Sequence, residues 1–299
     1  MALLIITTIL WAFSFSLIGE YLAGSVDSYF SVLMRVGLAA LVFLPFLRTR
    51  GQSPRTIVLY MLVGAMQLGI MYLLAFRAYL YLTVSEFLLF TVFTPLYITL
   101  IYDLLSGRKL RWGYLLSAAL AVLGAAIIRY DKVSDHFWTG LLLVQLSNLC
   151  FAIGMVGYKR LMEVRPMPQH NAFAWFYVGA FIVAVAAWFM LGNAQKLPTT
   201  TLQWSVLVWL GVVASGLGYF MWNYGATQVD AGTLGIMNNV HVPAGLLVNL
   251  AIWQEQPHWP SFIIGGTVIL ASLWVHRRWV APRSAQTADD RRRDSALSE

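Results

Sequence analysis

Charged residues are scarce in this sequence, since Asp, Glu, Lys and Arg make up only 11% of its 299 residues. Soluble domains contain about 25%. Hydrophobic residues account for 59% of the chain, and the mean hydropathy is +0.69. So little charge cannot cover a globular surface with polar groups, and the composition therefore excludes most soluble functions.

Motifs for several kinds of chemistry are also absent. The single cysteine, Cys150, leaves no partner for an intrachain disulfide. No GxxxxGK[ST] phosphate loop occurs, which argues against transport driven by ATP hydrolysis within this chain. No HExxH motif occurs, and His241 has no cysteine or carboxylate cluster beside it to complete a metal site. We therefore expect no metal, no cofactor and no enzymatic activity.

The sequence contains instead ten apolar stretches, each close to the 17–25 residues with which a helix crosses a bilayer. We number them spans 1 to 10, at residues 2–19, 28–47, 56–76, 79–102, 112–129, 137–157, 171–191, 202–222, 230–252 and 259–276. Span 1 has no basic segment before it, so we interpret it as an uncleaved helix rather than a signal peptide. The pattern predicts an all-α membrane protein with ten transmembrane helices in a lipid bilayer.

Lysine and arginine are distributed unevenly between alternate loops. One set of loops holds only Arg77, Arg129, Lys132 and Lys196, and Arg35 lies inside span 2. The other basic residues lie in the opposite loops and the C-terminal tail. Because basic residues beside a span resist translocation, this asymmetry predicts that both termini are cytoplasmic. It also explains the net charge of +7 as a topology signal, and we expect no nucleic-acid partner.

The second half of the chain repeats the first. Pro95 and Arg129 are as far apart as Pro243 and Arg277, and each proline interrupts an apolar span. The predicted domains are a first five-helix repeat at residues 1–130, a second at 137–280 and a polar cytoplasmic tail at 281–299. Because five is odd, the second repeat would have inverted polarity, an architecture with its substrate site near the midplane. Pro95 and Pro243 are candidate gating positions, with ordinary helix kinks as the alternative.

Arg35 and Glu86 are ionisable groups predicted to lie inside spans, at similar depths below the outer surface. An ionised group at the bilayer centre costs at least about 2.5–3.5 kcal/mol on insertion scales, so such residues indicate function. One interpretation is a structural ion pair between them. The other is that Arg35 binds a substrate carboxylate bidentately. Glu86 would then compete for Arg35 or, like His241, accept a coupling proton.

Polar residues inside the spans supply the other candidate contacts. The predicted substrate-binding residues are Arg35, Gln67, Tyr72, Glu86, Thr91, Gln145, Asn148, Tyr219, Trp222, Asn238, Asn239 and His241. For each neutral residue the alternative is an interhelical hydrogen bond, worth about 0.6 kcal/mol. Aromatic walls are expected from Trp11, Phe13, Tyr72, Phe90 and Trp222. This distribution favours a cavity lined by spans 1, 3, 4, 6, 8 and 9, with spans 5, 7 and 10 facing lipid or the partner repeat.

The segment from Met34 to Ala40, the mid-span prolines and the two-copy layout resemble EamA-type members of the drug/metabolite transporter superfamily. Over its whole length, including Met167–Asn171 and Arg291–Arg293, the chain is similar to the enterobacterial branch that imports biotin across the inner membrane. The resemblance implies ten helices and a secondary transporter with biotin as its small-molecule substrate. The alternatives are export of amino acids, amines or drugs, or an intramembrane enzyme or sensor. The oligomeric state is not predicted.

Overall fold

The computed structural model describes residues 2–105, 135–229, 231–254 and 259–279, with a few single positions between 116 and 127. Only single positions of predicted span 5 are described, and the tail at 281–299 lies outside the described residues. All regular structure within the described ranges is helical, and seven of their helices are long and apolar enough to cross a membrane. The protein is therefore a helical, multi-pass membrane protein.

Several spans are uninterrupted helices and others are composite. Span 1 is Ala2–Tyr21, span 2 is Ser28–Phe43 with a 3₁₀ turn at Leu44–Phe46, span 6 is Asp135–Val164, span 7 is Gln169–Leu191 and span 10 is Trp259–Trp279. Span 3 joins Pro54–Gly64 to Met71–Ala78 through a π-helix at Ala65–Ile70, and span 8 joins Thr201–Trp209 to Gly218–Thr227 through a π-helix at Leu210–Leu217. Span 4 is Val84–Thr91 followed by Thr94–Leu105, and span 9 is Ala231–Val248 followed by a π-helix at Asn249–Trp253.

The chain divides into two compact units. Unit 1 comprises residues 1–95 and 134–255, and unit 2 comprises residues 96–133 and 256–299. In unit 2, Leu96 is buried with Tyr97 and Leu100 packed against it. Unit 1 contains most of the described spans, and every feature of the candidate site described below belongs to it.

The start of span 4 differs from the prediction. The predicted span begins at residue 79, but its helix begins at Val84, where Thr83 and Glu86 form a capping box. The Thr83 amide donates to Glu86 Oε2 at 2.9 Å, and the Glu86 amide donates to Thr83 Oγ1 at 3.3 Å. Glu86 therefore lies in the first turn of its helix, where its carboxylate satisfies a free backbone donor. The predicted distance of Glu86 from the start of its span was therefore too large, although Glu86 lies within the apolar segment Val84–Tyr102.

Polar and apolar side chains are distributed in unit 1 as a lipid-embedded bundle requires. Phe189 is 82% exposed and Leu247 is 67% exposed, whereas Arg35 is 3% exposed and Gln67 and Asn223 are fully buried. Lipid offers no hydrogen bonds, so polar groups are satisfied inside the bundle while apolar groups face outward. The inward-facing polar groups are the material from which a substrate site is built.

Glycines bring spans 3 and 7 into close contact, and likewise spans 8 and 2. A Cβ on Gly64 would overlap the Phe176 carbonyl, and a Cβ on Gly211 would lie 2.7 Å from Leu38 Cβ. Small residues of this kind allow membrane helices to approach closely enough for backbone packing. Span 3 therefore packs on span 7 as span 8 packs on span 2.

Side chains from other spans donate hydrogen bonds to backbone carbonyls in or beside two of the π-helices. In span 8, Trp11 Nε1 donates to the Ala214 carbonyl at 3.0 Å, and Tyr177 Oη donates to the Ser215 carbonyl at 2.6 Å. At the end of the π-helix in span 3, Ser147 Oγ donates to the Met71 carbonyl at 3.1 Å. Such π-segments often occur at functional sites, and these two border the cavity described next.

Candidate substrate site

A cavity lies inside unit 1, with an empty volume of about 660 Å³ that includes its open mouth. The lining comes from spans 1, 3, 4, 6, 8 and 9, as the sequence predicted, and also from span 2 through Arg35. The residues that line it are Trp11, Ser14, Phe15, Ile18, Arg35, Met71, Tyr72, Ala75, Phe76, Tyr79, Phe87, Thr91, Thr94, Ser147, Asn148, Phe151, Tyr219 and Asn238.

Arg35 is the cation of this cavity. Its Nε donates to Ser215 Oγ at 2.6 Å, and its guanidinium carbon lies 4.2 Å from the centroid of the Tyr72 ring. The Phe76 ring is farther away, at 5.8 Å. These contacts stabilise the cation through a hydrogen bond and through the negative faces of the rings, but they do not neutralise its charge.

Arg35 does not pair with Glu86 in the described part of the chain. Glu86 caps the start of span 4 instead, and it is absent from the cavity lining. Arg35 also contacts no other carboxylate among the described residues. A buried cation without a counter-ion is costly in a low-dielectric interior, and an anionic ligand would remove that cost.

Four hydroxyl groups in the lining present only acceptor lone pairs to the cavity, because each donates its hydrogen to a backbone carbonyl. Thr91 donates to Leu88 and Thr94 donates to Thr91, both at 2.7 Å. Ser14 donates to the Leu10 carbonyl at 3.0 Å, and Ser147 donates to Met71 as described above. A hydroxyl has one hydrogen and two lone pairs, so the Ser14, Thr94 and Ser147 hydroxyls can accept further hydrogen bonds.

Asn238 supplies the opposite polarity. Its side chain is 1% exposed and lines the cavity, yet its amide nitrogen has no acceptor among the described residues. Leaving a buried donor unsatisfied costs about 1–3 kcal/mol. An acceptor atom on a ligand in the cavity would satisfy it.

Two predicted binding residues on span 6 bind the backbone where span 4 is interrupted. The Phe90 carbonyl accepts Asn148 Nδ2 at 2.9 Å and Gln145 Nε2 at 3.3 Å. The interruption follows from Pro95, which has no amide hydrogen and whose ring crowds the preceding turn. Asn148 also lines the cavity, whereas Gln145 does not.

Pro243 differs from Pro95, because it lies within the uninterrupted helix Ala231–Val248. Asn239 and His241 lie on the same helix, but their side chains lie outside the described part of the structure. The described structure therefore places one proline at a break in its span and the other inside a continuous helix.

Gln67 and Trp222 are buried away from the cavity lining. The Gln67 amide exchanges two hydrogen bonds with Asn223, at 3.0 and 3.2 Å, which link span 3 to span 8. Trp222 Nε1 donates to Met155 Sδ at 3.4 Å. Both side chains therefore form interhelical hydrogen bonds, which were the predicted alternative to substrate binding.

Aromatic rings form the apolar walls. Trp11 lies 4.6 Å from Tyr219 and 6.4 Å from Phe151, measured between ring centroids, and Tyr79 stacks on Phe87 at 4.2 Å. Trp11 and Tyr72 were predicted wall residues that do line the cavity. Three others do not, and they are Phe13, Phe90 and Trp222.

Sequence reasoning missed Ser215, the hydrogen-bond partner of Arg35, and Tyr177, which binds its carbonyl. Serine in an apolar span is too common to stand out, and the sequence predicts that span 7 faces lipid or the partner repeat. A Ser-Gly pair at Ser215 and Gly216, opposite an arginine in another span, was the available signal for an irregular helix.

Comparison with known proteins agrees with this architecture. The sequence profile described as "EamA-like transporter family" matches residues 1–130 and 138–277. A "Biotin transporter" from Escherichia coli (strain K12) is 84% identical over 299 residues and covers 100% of both chains. A "Probable biotin transporter" from Pseudomonas aeruginosa is 56% identical over 279 residues, covering 93% of this chain and 97% of its own. One solved crystal structure, 17% identical, shares the fold with a TM-score of 0.64, covering 92% of this chain and 95% of that chain.

Proposed function

The chain belongs to the EamA-like transporter family, and from this premise we propose that it imports biotin across the bacterial inner membrane. Its family is one of transporters rather than enzymes. Relatives named as biotin transporters align with the chain over all or nearly all of its length, which supports the substrate. The observation that carries the site assignment is Arg35, a buried cation that lines the cavity without a carboxylate partner among the described residues.

Each polar end of biotin has a complementary polar group in the cavity lining. Its carboxylate would pair with Arg35, and its ureido carbonyl would accept the free amide hydrogen of Asn238. Its ureido N–H groups would donate to lining hydroxyls such as Thr91 and Thr94, whose own hydrogens are already engaged. The fused rings would pack against the aromatic walls that include Trp11.

The predicted binding residues then divide by proposed role. Those proposed to contact biotin directly are Arg35, Tyr72, Thr91, Asn148, Tyr219 and Asn238, with Asn239 and His241 on the same helix as further candidates. Gln67, Gln145 and Trp222 would shape the site through their contacts with neighbouring spans. Glu86 would affect the site indirectly, by fixing where the helix of span 4 begins.

We further propose that ten helices form two inverted repeats with cytoplasmic termini, and that they work by alternating access. Three observations support this. Two of the three π-helices in the described residues occur in spans 3 and 8, which correspond in the two repeats, and Gly64 and Gly211 occupy matching contacts. Tyr72 and Tyr219 are separated in sequence by the same interval as those glycines, and both line the cavity. Similar units of opposite polarity can exchange conformations, with Pro95 and Pro243 as proposed gating positions.

Uptake of labelled biotin tests the proposal. Bacterial cells lacking the protein are compared with the same cells carrying the restored gene or its Arg35→Ala variant at matched membrane abundance. We expect saturable uptake that requires the gene and falls at least about 10-fold in the variant, because a charge-assisted bidentate pair is lost. Uptake that is unchanged by removing the gene would end the biotin assignment.

The exporter alternative requires a separate experiment, because it differs from the biotin assignment in its substrates. Proteoliposomes loaded with unlabelled biotin are given labelled biotin outside, and counterflow accumulation is followed. Accumulation with biotin, but not with amino acids or amines inside, is expected. The opposite preference would favour the exporter alternative.

A further inference from the structure

Ser215 holds the guanidinium of Arg35 by one edge. Arg35 Nε donates to Ser215 Oγ at 2.6 Å, and Ser215 Oγ also lies within hydrogen-bond distance of Tyr72 Oη, at 2.9 Å. Ser215 itself is fully buried, and it is absent from the cavity lining. It therefore contacts the cation from behind, as seen from the cavity.

A guanidinium offers hydrogen bonds along two kinds of edge. One joins Nε to a terminal nitrogen, and the other joins the two terminal nitrogens. With Nε engaged by Ser215, the edge between the two terminal nitrogens remains for a carboxylate. The Tyr72 ring at 4.2 Å covers one face of the guanidinium, so the cation has a defined plane as well as a defined edge.

Contacts from two other spans fix the position of Ser215. It lies in the π-helix Leu210–Leu217, and the Ser215 carbonyl also accepts from the Gly218 amide. Tyr177 Oη donates to the Ser215 carbonyl at 2.6 Å and approaches the Gly216 carbonyl at 3.1 Å. Trp11 Nε1 donates to the neighbouring Ala214 carbonyl. Hydrogen bonds from spans 1 and 7 therefore fix the backbone around Ser215.

We infer that Ser215 is a positioning residue that sets the specificity of this transporter for an unesterified carboxylate. It holds Arg35 by Nε, so that the two terminal nitrogens face the cavity in the geometry of a bidentate carboxylate pair. The inference rests on the proposed function, because it assumes that Arg35 binds the carboxylate of biotin. It adds that the π-helix of span 8 exists to place this hydroxyl.

The test compares inhibition of labelled-biotin uptake by unlabelled biotin and by biotin methyl ester, which lacks the anion. Ser215→Ala should raise the KM for biotin about 10-fold, since a poorly oriented cation forms a weaker charge-assisted bond, with little change in maximal rate. Inhibition by the ester should hardly change, so the preference for acid over ester should fall by a similar factor. Ser205→Ala, an exposed serine in the same span, is the matched control and should keep the wild-type preference.

A purely structural role for Ser215 would lower membrane abundance or the uptake of both ligands equally, so an unchanged preference in Ser215→Ala overturns the inference. Should that variant fail to reach the membrane, Ser215→Cys decides. It keeps the size of the side chain but replaces the hydroxyl with a weaker hydrogen-bond acceptor for Arg35 Nε, and we expect a smaller loss of preference, about 2–3-fold. No loss there would also overturn the inference.

The two proposals fail in different ways. If Arg35→Ala retains the wild-type preference for acid over ester, Arg35 is not the carboxylate anchor and the site assignment fails. If Arg35→Ala abolishes the preference while Ser215→Ala retains it, only the role of Ser215 is refuted.

Discussion

Asn238→Leu should stabilise the ligand-free protein and weaken biotin binding. The Asn238 amide is buried, and its nitrogen has no acceptor among the described residues, a state that costs about 1–3 kcal/mol. Leucine has a similar size and no polar atom, so it removes this cost. At about 2–4 °C per kcal/mol, as in soluble domains of 150–250 residues, the unfolding midpoint should rise by a few degrees.

The same substitution should cost affinity, because the hydrogen bond proposed for the ureido carbonyl is lost. A loss of 1–3 kcal/mol corresponds to a roughly 5–150-fold weaker equilibrium. Thermal unfolding of the detergent-purified protein, with and without biotin, measures both effects in one assay. Biotin should raise the midpoint of the wild type and should raise that of Asn238→Leu much less.

Asn223→Leu is the matched control, since Asn223 is equally buried but exchanges two hydrogen bonds with Gln67. It should lower the midpoint of the ligand-free protein. The reasoning is refuted if Asn238→Leu also destabilises the ligand-free protein, or if biotin protects it as well as it protects the wild type. Either result would mean that the Asn238 amide is already satisfied or does not face the ligand.

Two further predictions concern the packing of unit 1. Gly64→Ala should destabilise the purified protein strongly, because its Cβ would overlap the Phe176 carbonyl, whereas Gly266→Ala, whose Cβ would lie within 4 Å of no atom of the described residues, should be neutral in thermal unfolding. Equal effects of these two alanines would refute the close contact between spans 3 and 7. In a double-mutant cycle, Gln67→Leu and Asn223→Leu should each cost about 1–3 kcal/mol alone, and combining them should recover part of the loss. Strict additivity of the unfolding free energies would show that the two amides are not paired.

Much of the fold could be predicted from sequence, because the bilayer imposes a length and a hydropathy on every helix that crosses it. Arg35 could be singled out for the same reason, since lipid makes a charged side chain conspicuous. The start of the helix that carries Glu86 was predicted five residues too early, because hydropathy counts residues 79–83 with span 4. The Thr83-x-x-Glu86 capping box, which hydropathy does not read, marks the true start of the helix.

The sequence could not decide which buried polar residues bind substrate and which form interhelical hydrogen bonds. Gln67 and Asn238 are both buried amides in spans, yet one binds Asn223 and the other faces the cavity with a free donor. Which outcome applies depends on the rotation and register of neighbouring helices, and hydropathy carries little information about either. Ser215 became recognisable only once the π-helix had placed it against Arg35.

Biotin is proposed to occupy the cavity beside Arg35, and protection of a cavity cysteine tests this proposal. Cys150 is replaced by alanine, and Thr94→Cys or Leu247→Cys supplies one cysteine, in the cavity lining or on the exposed apolar surface respectively. Reaction with a small thiol reagent is then timed with and without biotin. Biotin should slow labelling at position 94 and leave labelling at position 247 unchanged. If saturating biotin does not slow labelling at position 94, biotin does not occupy the cavity beside Arg35.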